Sequence, residues 1–280
     1  MSAVVEPGIQ RERCVVRATH KTKGRRVWLA PETAAVRYLR YGRIVLDSVG
    51  ENLEFETGTY ETGLICLRGQ ASVEVSGDRR DLTPYDALYV PRGSAVRVTA
   101  GAEGCDLAEI AAPVDGDYPL QFVSFAGVRS DPKLHFAAGG PSAERDLNIV
   151  IGKNVEAGRI LAGVTFSKPG NWTSWPPHEH GATLEEAYLY IDMPAPAWGL
   201  QLVYTDPQEP ELVVAVREGD VVVMPEGYHP NVAAPGGSIG FLWMMAAYRE
   251  VTDREFGVVN VQPEYAAGGS GLEASRAPKK

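Results

Sequence analysis

Cysteine is scarce in this chain. Cys14, Cys66 and Cys105 are an odd number with no CxxC spacing, which fits reduced thiols and excludes a disulfide framework. Long hydrophobic runs are missing too, none approaching the roughly 18 residues needed to span a bilayer. The first twenty residues lack the basic-then-apolar pattern of an export signal, so neither anchoring nor export is expected and the expected compartment is the cytoplasm. Positive charge is in deficit, with 27 Lys and Arg against 36 Asp and Glu and a net charge of -9. That balance excludes a general nucleic-acid or anionic-membrane binder, both of which need a basic surface, and leaves a small anionic substrate open. No long stretch carries a helical period and no glycine-rich nucleotide-binding motif is visible, so helices should be few and short and no organic cofactor is expected.

What the chain has in quantity is turns and short β-prone runs. Thirty glycines and 20 prolines punctuate segments such as LICLRG, ASVEVSGD, LQLVYTD, LVVAVREGD and IGFLWMMAA. Runs of this length at this spacing predict an all-β fold of sandwich or barrel type. An internal repeat divides it. Asp86-Ala-Leu-Tyr-Val-Pro91-Arg-Gly93-Ser-Ala95 matches Asp220-Val-Val-Val-Met-Pro225-Glu-Gly227-Tyr-His229 without a gap, and the same 134-residue offset carries Ala100 to Ala234 and Ala112 to Ala246. A Pro-Gly turn alone would be unremarkable in a β-protein, but the match continues past it. Two β-domains are therefore expected, residues 1–130 and 131–265, joined through a loop-like stretch within 113–150. The small, polar and basic residues 266–280 are expected to be disordered.

Three of the five histidines fall in two short motifs of the second copy. His178 and His180 are two apart in Pro176-Pro177-His178-Glu179-His180, so on extended chain their imidazoles leave one face while Glu179 points away. Glu185-Glu186-Ala187-Tyr188-Leu189-Tyr190 reads as a strand with Glu186, Tyr188 and Tyr190 on one face and Ala187 and Leu189 on the other. Either Glu185 or Glu186 could add a carboxylate. His229 follows a turn whose rigid Pro225 and permissive Gly227 set a side chain at a strand mouth. Singly, each feature is more often surface than site. In this order they predict a metal centre, and three imidazoles with one carboxylate suit a divalent transition metal better than calcium.

These motifs resemble those of cupins, small jelly-roll β-barrels that hold a metal with three His and one Glu. The spacing differs: the Glu comes one residue late, and Gly227 precedes His229 with one residue between where many cupins have two. Gly170-Asn-Trp-Thr-Ser-Trp-Pro-Pro-His-Glu-His180, Tyr204-Thr-Asp206 and Gly219-Asp-Val-Val-Val-Met-Pro-Glu-Gly-Tyr-His-Pro230 are similar to the 5-deoxyglucuronate isomerases. Glu186-Ala-Tyr-Leu-Tyr-Ile-Asp-Met-Pro194 and Phe241-Leu-Trp-Met-Met245 resemble the related 4-deoxy-5-ketouronate isomerases. The resemblance implies a bicupin. It also implies one metal ion per chain on His178, His180, Glu186 and His229, with Glu185 as fallback; zinc is the first expectation and manganese, iron or nickel the others.

In the first copy Ala95 stands in the place of His229, and residues 55–62 contain no histidine, so that barrel is expected to be metal-free and structural. The implied activity is aldose-ketose isomerisation of a deoxyuronate, 5-deoxyglucuronate first and 4-deoxy-5-ketouronate second. A cupin dioxygenase and a non-catalytic sugar-binding cupin are readings of other classes. The expected partners are a small sugar acid and further copies of the chain in a homo-oligomer. No general base stands out among Lys168, Glu185, Tyr188, Tyr190 and Tyr204, and the basic residue that should meet the substrate carboxylate is not singled out by spacing.

Overall fold

The computed structural model describes residues 8–268, and the architecture is almost entirely β. Alternation of inward and outward side chains governs its strands: Gly199–Val203 and Leu212–Val216 each bury every second residue. The strands at the centre, Leu184–Ile191 and Gly240–Ala247, are covered on both faces and bury every residue. Among the described residues helices are confined to Arg11–Cys14, Phe125–Ser130 and two 3-10 segments, as the lack of helical periodicity predicts.

The first half forms an eight-stranded sheet built around two long antiparallel strands, Tyr60–Val75 and Ala95–Pro113. The second half contains a seven-stranded sheet, with Leu184–Ile191 between Val221–Met224 and Gly240–Ala247, and a four-stranded sheet made by Trp172–Thr173, Asn231–Ala233, Gly199–Val203 and Leu212–Val216. The hydrogen-bond ladders do not close into continuous barrels.

The internal repeat is visible in the strand register. Thr62 pairs with Val90 and Ala111, and Glu186 pairs with Met224 and Met245. Both partners are displaced by the same 134 residues, so Thr62 occupies in the first half the position that Glu186 occupies in the second. One continuous core joins the halves, with Ile65, Tyr89 and Ile110 packed into the same cluster as Ile151, Ile160 and Leu161.

The structure corrects the sequence-based boundaries in two places. The stretch 113–150, read as loop and linker, carries the strands Gln121–Val123 and His135–Ala138, the helix Phe125–Ser130 and the start of Arg145–Ile151. Val15–Val16, assigned to the first domain, pairs instead with Val221–Val222 at the edge of the second half's large sheet, because these valines extend an apolar sheet that would otherwise end at Val221–Met224. Of the tail 266–280, expected to be disordered, residues up to Gly268 belong to the 3-10 segment Pro263–Gly268 and the remainder lies outside the described residues.

Candidate metal centre and its pocket

Strand alternation builds one wall of the site. Glu186 and Tyr188, Phe241, Trp243 and Met245, Thr165, and Arg145 and Leu147 are the pocket-facing residues of four adjacent strands, each offset by two along its own chain. Across from them lie Ser174, Pro176, His178 and His180. Phe256, Gly257, Val259 and Val261 complete the lining, and their segment is held by pairing of Asn260–Val261 with His178–Glu179. Gln262 fastens it further, donating its backbone N–H to the Pro177 carbonyl and accepting from the Tyr204 hydroxyl at 2.8 Å.

His178, His180 and His229 each offer a ring nitrogen within 4.8 Å of the others. Glu186, 2% exposed, joins them: its Oε2 lies 3.0 Å from Nε2 of His180 and 3.0 Å from Nε2 of His229. His178 Nδ1 lies 2.9 Å from the Pro176 carbonyl and His229 Nδ1 lies 3.2 Å from the Gly227 carbonyl. A carbonyl only accepts, so Nδ1 carries the proton in both rings and the Nε2 lone pair is left for a metal. His229 Nε2 is off the axis of a hydrogen bond to Glu186 and has no hydrogen-bond partner, and buried His180 Nδ1 has none either. The unpartnered Nε2 of His229, buried beside the Glu186 carboxylate, is a lone pair suited to an ion, and the N3O donor set fits a divalent transition metal.

Electrostatics hold His178 and Glu186 in the deprotonated form that a metal ligand needs. Burial and the neighbouring imidazoles of His229 and His180 push His178 down to about 3. Burial alone would raise the Glu186 carboxyl, but the rings of His180 and His229 outweigh it and hold the group down to about 2. His229 is delivered by backbone shape: Gly227 has φ +78, and a Cβ there would run into the Tyr204 carbonyl, whose residue bridges Tyr228.

Glu185 and Glu179 point elsewhere. Glu185 accepts backbone N–H bonds from Arg37 at 2.6 Å, Tyr38 at 2.7 Å and Leu39 in the first half. Glu179 accepts from Asn260 at 3.1 Å. Of the five general-base candidates only Tyr188 lines the pocket. Its hydroxyl lies 2.7 Å from Ser174 Oγ, and burial with the charge of Glu186 keeps the phenol protonated far above neutral pH. Tyr190 is occupied by Gln201 and Asn231, Tyr204 by Gln262, and Lys168 is exposed.

Sequence reasoning missed Arg145 and the segment Phe256 to Val261, and it gave Ser174 and Trp243 no individual role although both stand in the motifs that carry the family resemblance. Arg145 carried a legible signal, an arginine in phase with the apolar Leu147 and Ile149 of one strand, hidden because the region had been read as linker.

Comparison with known proteins places this architecture. The model of the KduI/IolB family matches residues 14–260. The 5-deoxy-glucuronate isomerase of Geobacillus thermodenitrificans (strain NG80-2) is 30% identical over 242 residues, covering 80% of this chain and 85% of that protein. Among solved structures, an IolB-like protein of Salmonella typhimurium LT2 superposes with a TM-score of 0.79 at 24% identity, over 90% of this chain and 98% of the other. Bacillus subtilis oxalate decarboxylase, a protein with Mn(II) centres, superposes at 0.58 and 15% identity, over 79% of this chain and 73% of that one, and shares the fold alone. The fold is the expected two-unit cupin type, and the chain belongs to the KduI/IolB family.

Proposed function

We propose that the protein is a metal-dependent aldose-ketose isomerase that converts 5-deoxyglucuronate to 2-deoxy-5-keto-gluconate. The observation that carries this reading is the convergence of His178, His180, His229 and Glu186 on one buried point at the wall of a pocket, in a chain whose relatives are 5-deoxy-glucuronate isomerases. A divalent ion held there supplies Lewis acidity toward the adjacent carbonyl and hydroxyl oxygens of a sugar. Tyr188, kept neutral and braced by Ser174, presents a hydroxyl proton to a substrate oxygen. Phe241, Trp243 and Phe256 give the pocket an apolar wall, and the segment Phe256 to Val261 keeps bulk water from the reacting carbons.

Zinc is the ion we propose, with one per chain. The first half has Thr62 and Ala95 at the positions of Glu186 and His229, which supports a metal-free, structural role for it. A homo-oligomer in the cytoplasm is the working setting; the three cysteines are free and buried, and no helix among the described residues is long and apolar enough to cross a membrane.

The test is a comparison of kcat/KM for 5-deoxyglucuronate and 4-deoxy-5-ketouronate on metal-replete protein, with an oxygen electrode in parallel. Preference for the first substrate is expected. Preference for the second overturns the substrate, and oxygen uptake with neither sugar converted overturns the reaction class.

A further inference from the structure

Arg145 is a buried cation without an anion. It is 5% exposed, and among the described residues no carboxylate lies within 4 Å of its guanidinium. Its only hydrogen bonds are to carbonyls, one Nη to Ala143 at 3.0 Å and the other to Trp175 at 2.8 Å. The other two deeply buried arginines differ: Arg43 is clamped by both oxygens of Asp106 at 2.7 Å, and Arg254, likewise without a carboxylate within 4 Å, has each of its three guanidinium nitrogens bonded to a carbonyl, of Ile160, Val155 and Gly152. Removing a guanidinium from water without a counter-charge is costly, and an arginine does not escape the cost by losing its proton at neutral pH. Unlike those two, Arg145 lines the metal pocket.

Its place on the sheet adds direction. Arg145 stands on the strand Arg145–Ile151 and Glu186 on Leu184–Ile191, with Ile160–Ser167 and Gly240–Ala247 between them. Arg145 lies opposite Ser167, whereas Glu186, through Met245, is level with Leu161, so the cation's backbone is displaced from that of Glu186 by three strand spacings, roughly 14 Å across the sheet, and also along the strands, from the level of Leu161 to that of Ser167. The interval is walled by Thr165, Phe241 and Trp243, and the indole N–H of Trp243 is buried with no partner.

We infer that Arg145 is the carboxylate-recognition residue of this pocket, binding the acid end of a sugar acid so that the far end of its carbon chain meets His178, His180, Glu186 and His229. The inference rests on the isomerase reading for the identity of the acid. In 5-deoxyglucuronate the carboxylate is C6 and the isomerising carbons are C1 and C2, so an anchor across the pocket from the metal ligands is where the chemistry needs it. After the bonds from its two Nη atoms to Ala143 and Trp175, the N–H groups that remain on the guanidinium can offer one edge of the fork to the paired oxygens of a carboxylate.

Calorimetric binding of D-glucuronate and of glucose, its neutral counterpart at C6, tests the anchor on metal-loaded protein without requiring turnover. Wild type should prefer the acid by tenfold or more. Arg145→Gln should abolish that preference and Arg145→Lys restore part of it, with metal content unchanged in both. An acid-to-neutral ratio that survives Arg145→Gln overturns the inference, as does a wild type that does not distinguish the two sugars, a result that stands even if the variant fails to fold. Turnover of 5-deoxyglucuronate by wild type is scored separately: its absence counts against the isomerase reading, while a lost acid preference in Arg145→Gln still supports the anchor.

Discussion

Glu61 and Glu185 make the same contact in opposite directions. The Glu61 carboxylate in the first half accepts N–H bonds from Gly158, Arg159 and Ile160 at 2.7, 2.6 and 2.8 Å, where the chain enters the strand Ile160–Ser167 of the second. Glu185 does so for Arg37, Tyr38 and Leu39, where the chain enters Arg40–Leu46 of the first. The two glutamates sit at matching register positions, opposite Ala112 and Ala246, which the 134-residue offset relates. Each closes three otherwise orphaned N–H groups at a buried seam, and Glu61 also accepts the Tyr89 hydroxyl at 2.7 Å.

Removing one of these carboxylates leaves buried donors unsatisfied. Glu61→Gln is expected to lower the unfolding free energy by about 3 kcal/mol, measured by urea denaturation, with metal content per folded chain unchanged. A loss below about 0.5 kcal/mol would mean that the seam does not depend on the clasp.

The neighbouring pair Glu185 and Glu186 should separate stability from metal binding, because successive strand residues face opposite sides. Glu186→Gln should lose most bound metal in elemental analysis while the fold persists. Glu185→Gln should keep its metal and lose about 3 kcal/mol of stability through the Arg37 to Leu39 contacts. The opposite assignment would place the wrong carboxylate at the ion.

Gly227 offers a backbone test. An alanine there must hold φ near +78 and displace the Tyr204 carbonyl, so Gly227→Ala should cost about 1–3 kcal/mol and weaken metal affinity at least tenfold by moving His229. Unchanged metal affinity measured by competition with a chelator would show that the turn does not position the ligand.

The pattern of what could be read from sequence follows the range of each constraint. The grouping of His178, His180 and Glu186 was legible because two-residue alternation fixes which side chains share a face, and the approach of His229 to them because a Pro-Gly turn with a positive φ is local chemistry. Glu185 was kept as an alternative ligand until the contact with Arg37, Tyr38 and Leu39, nearly 150 residues away in sequence, gave it other work. Val15–Val16 joining Val221–Val222 and Asn260–Val261 covering His178 are likewise pairings between distant segments, which no window of sequence contains. Arg145 belongs to both kinds: its phase was local, while its lack of an anion appears only when every neighbouring strand is in place.

Metal add-back tests the account most directly. Protein stripped with a chelator should be inactive on 5-deoxyglucuronate, and titration with zinc should restore ketose formation in proportion to bound metal, reaching a plateau at one ion per chain. Full activity in the stripped protein, or a plateau at two ions per chain, would contradict it.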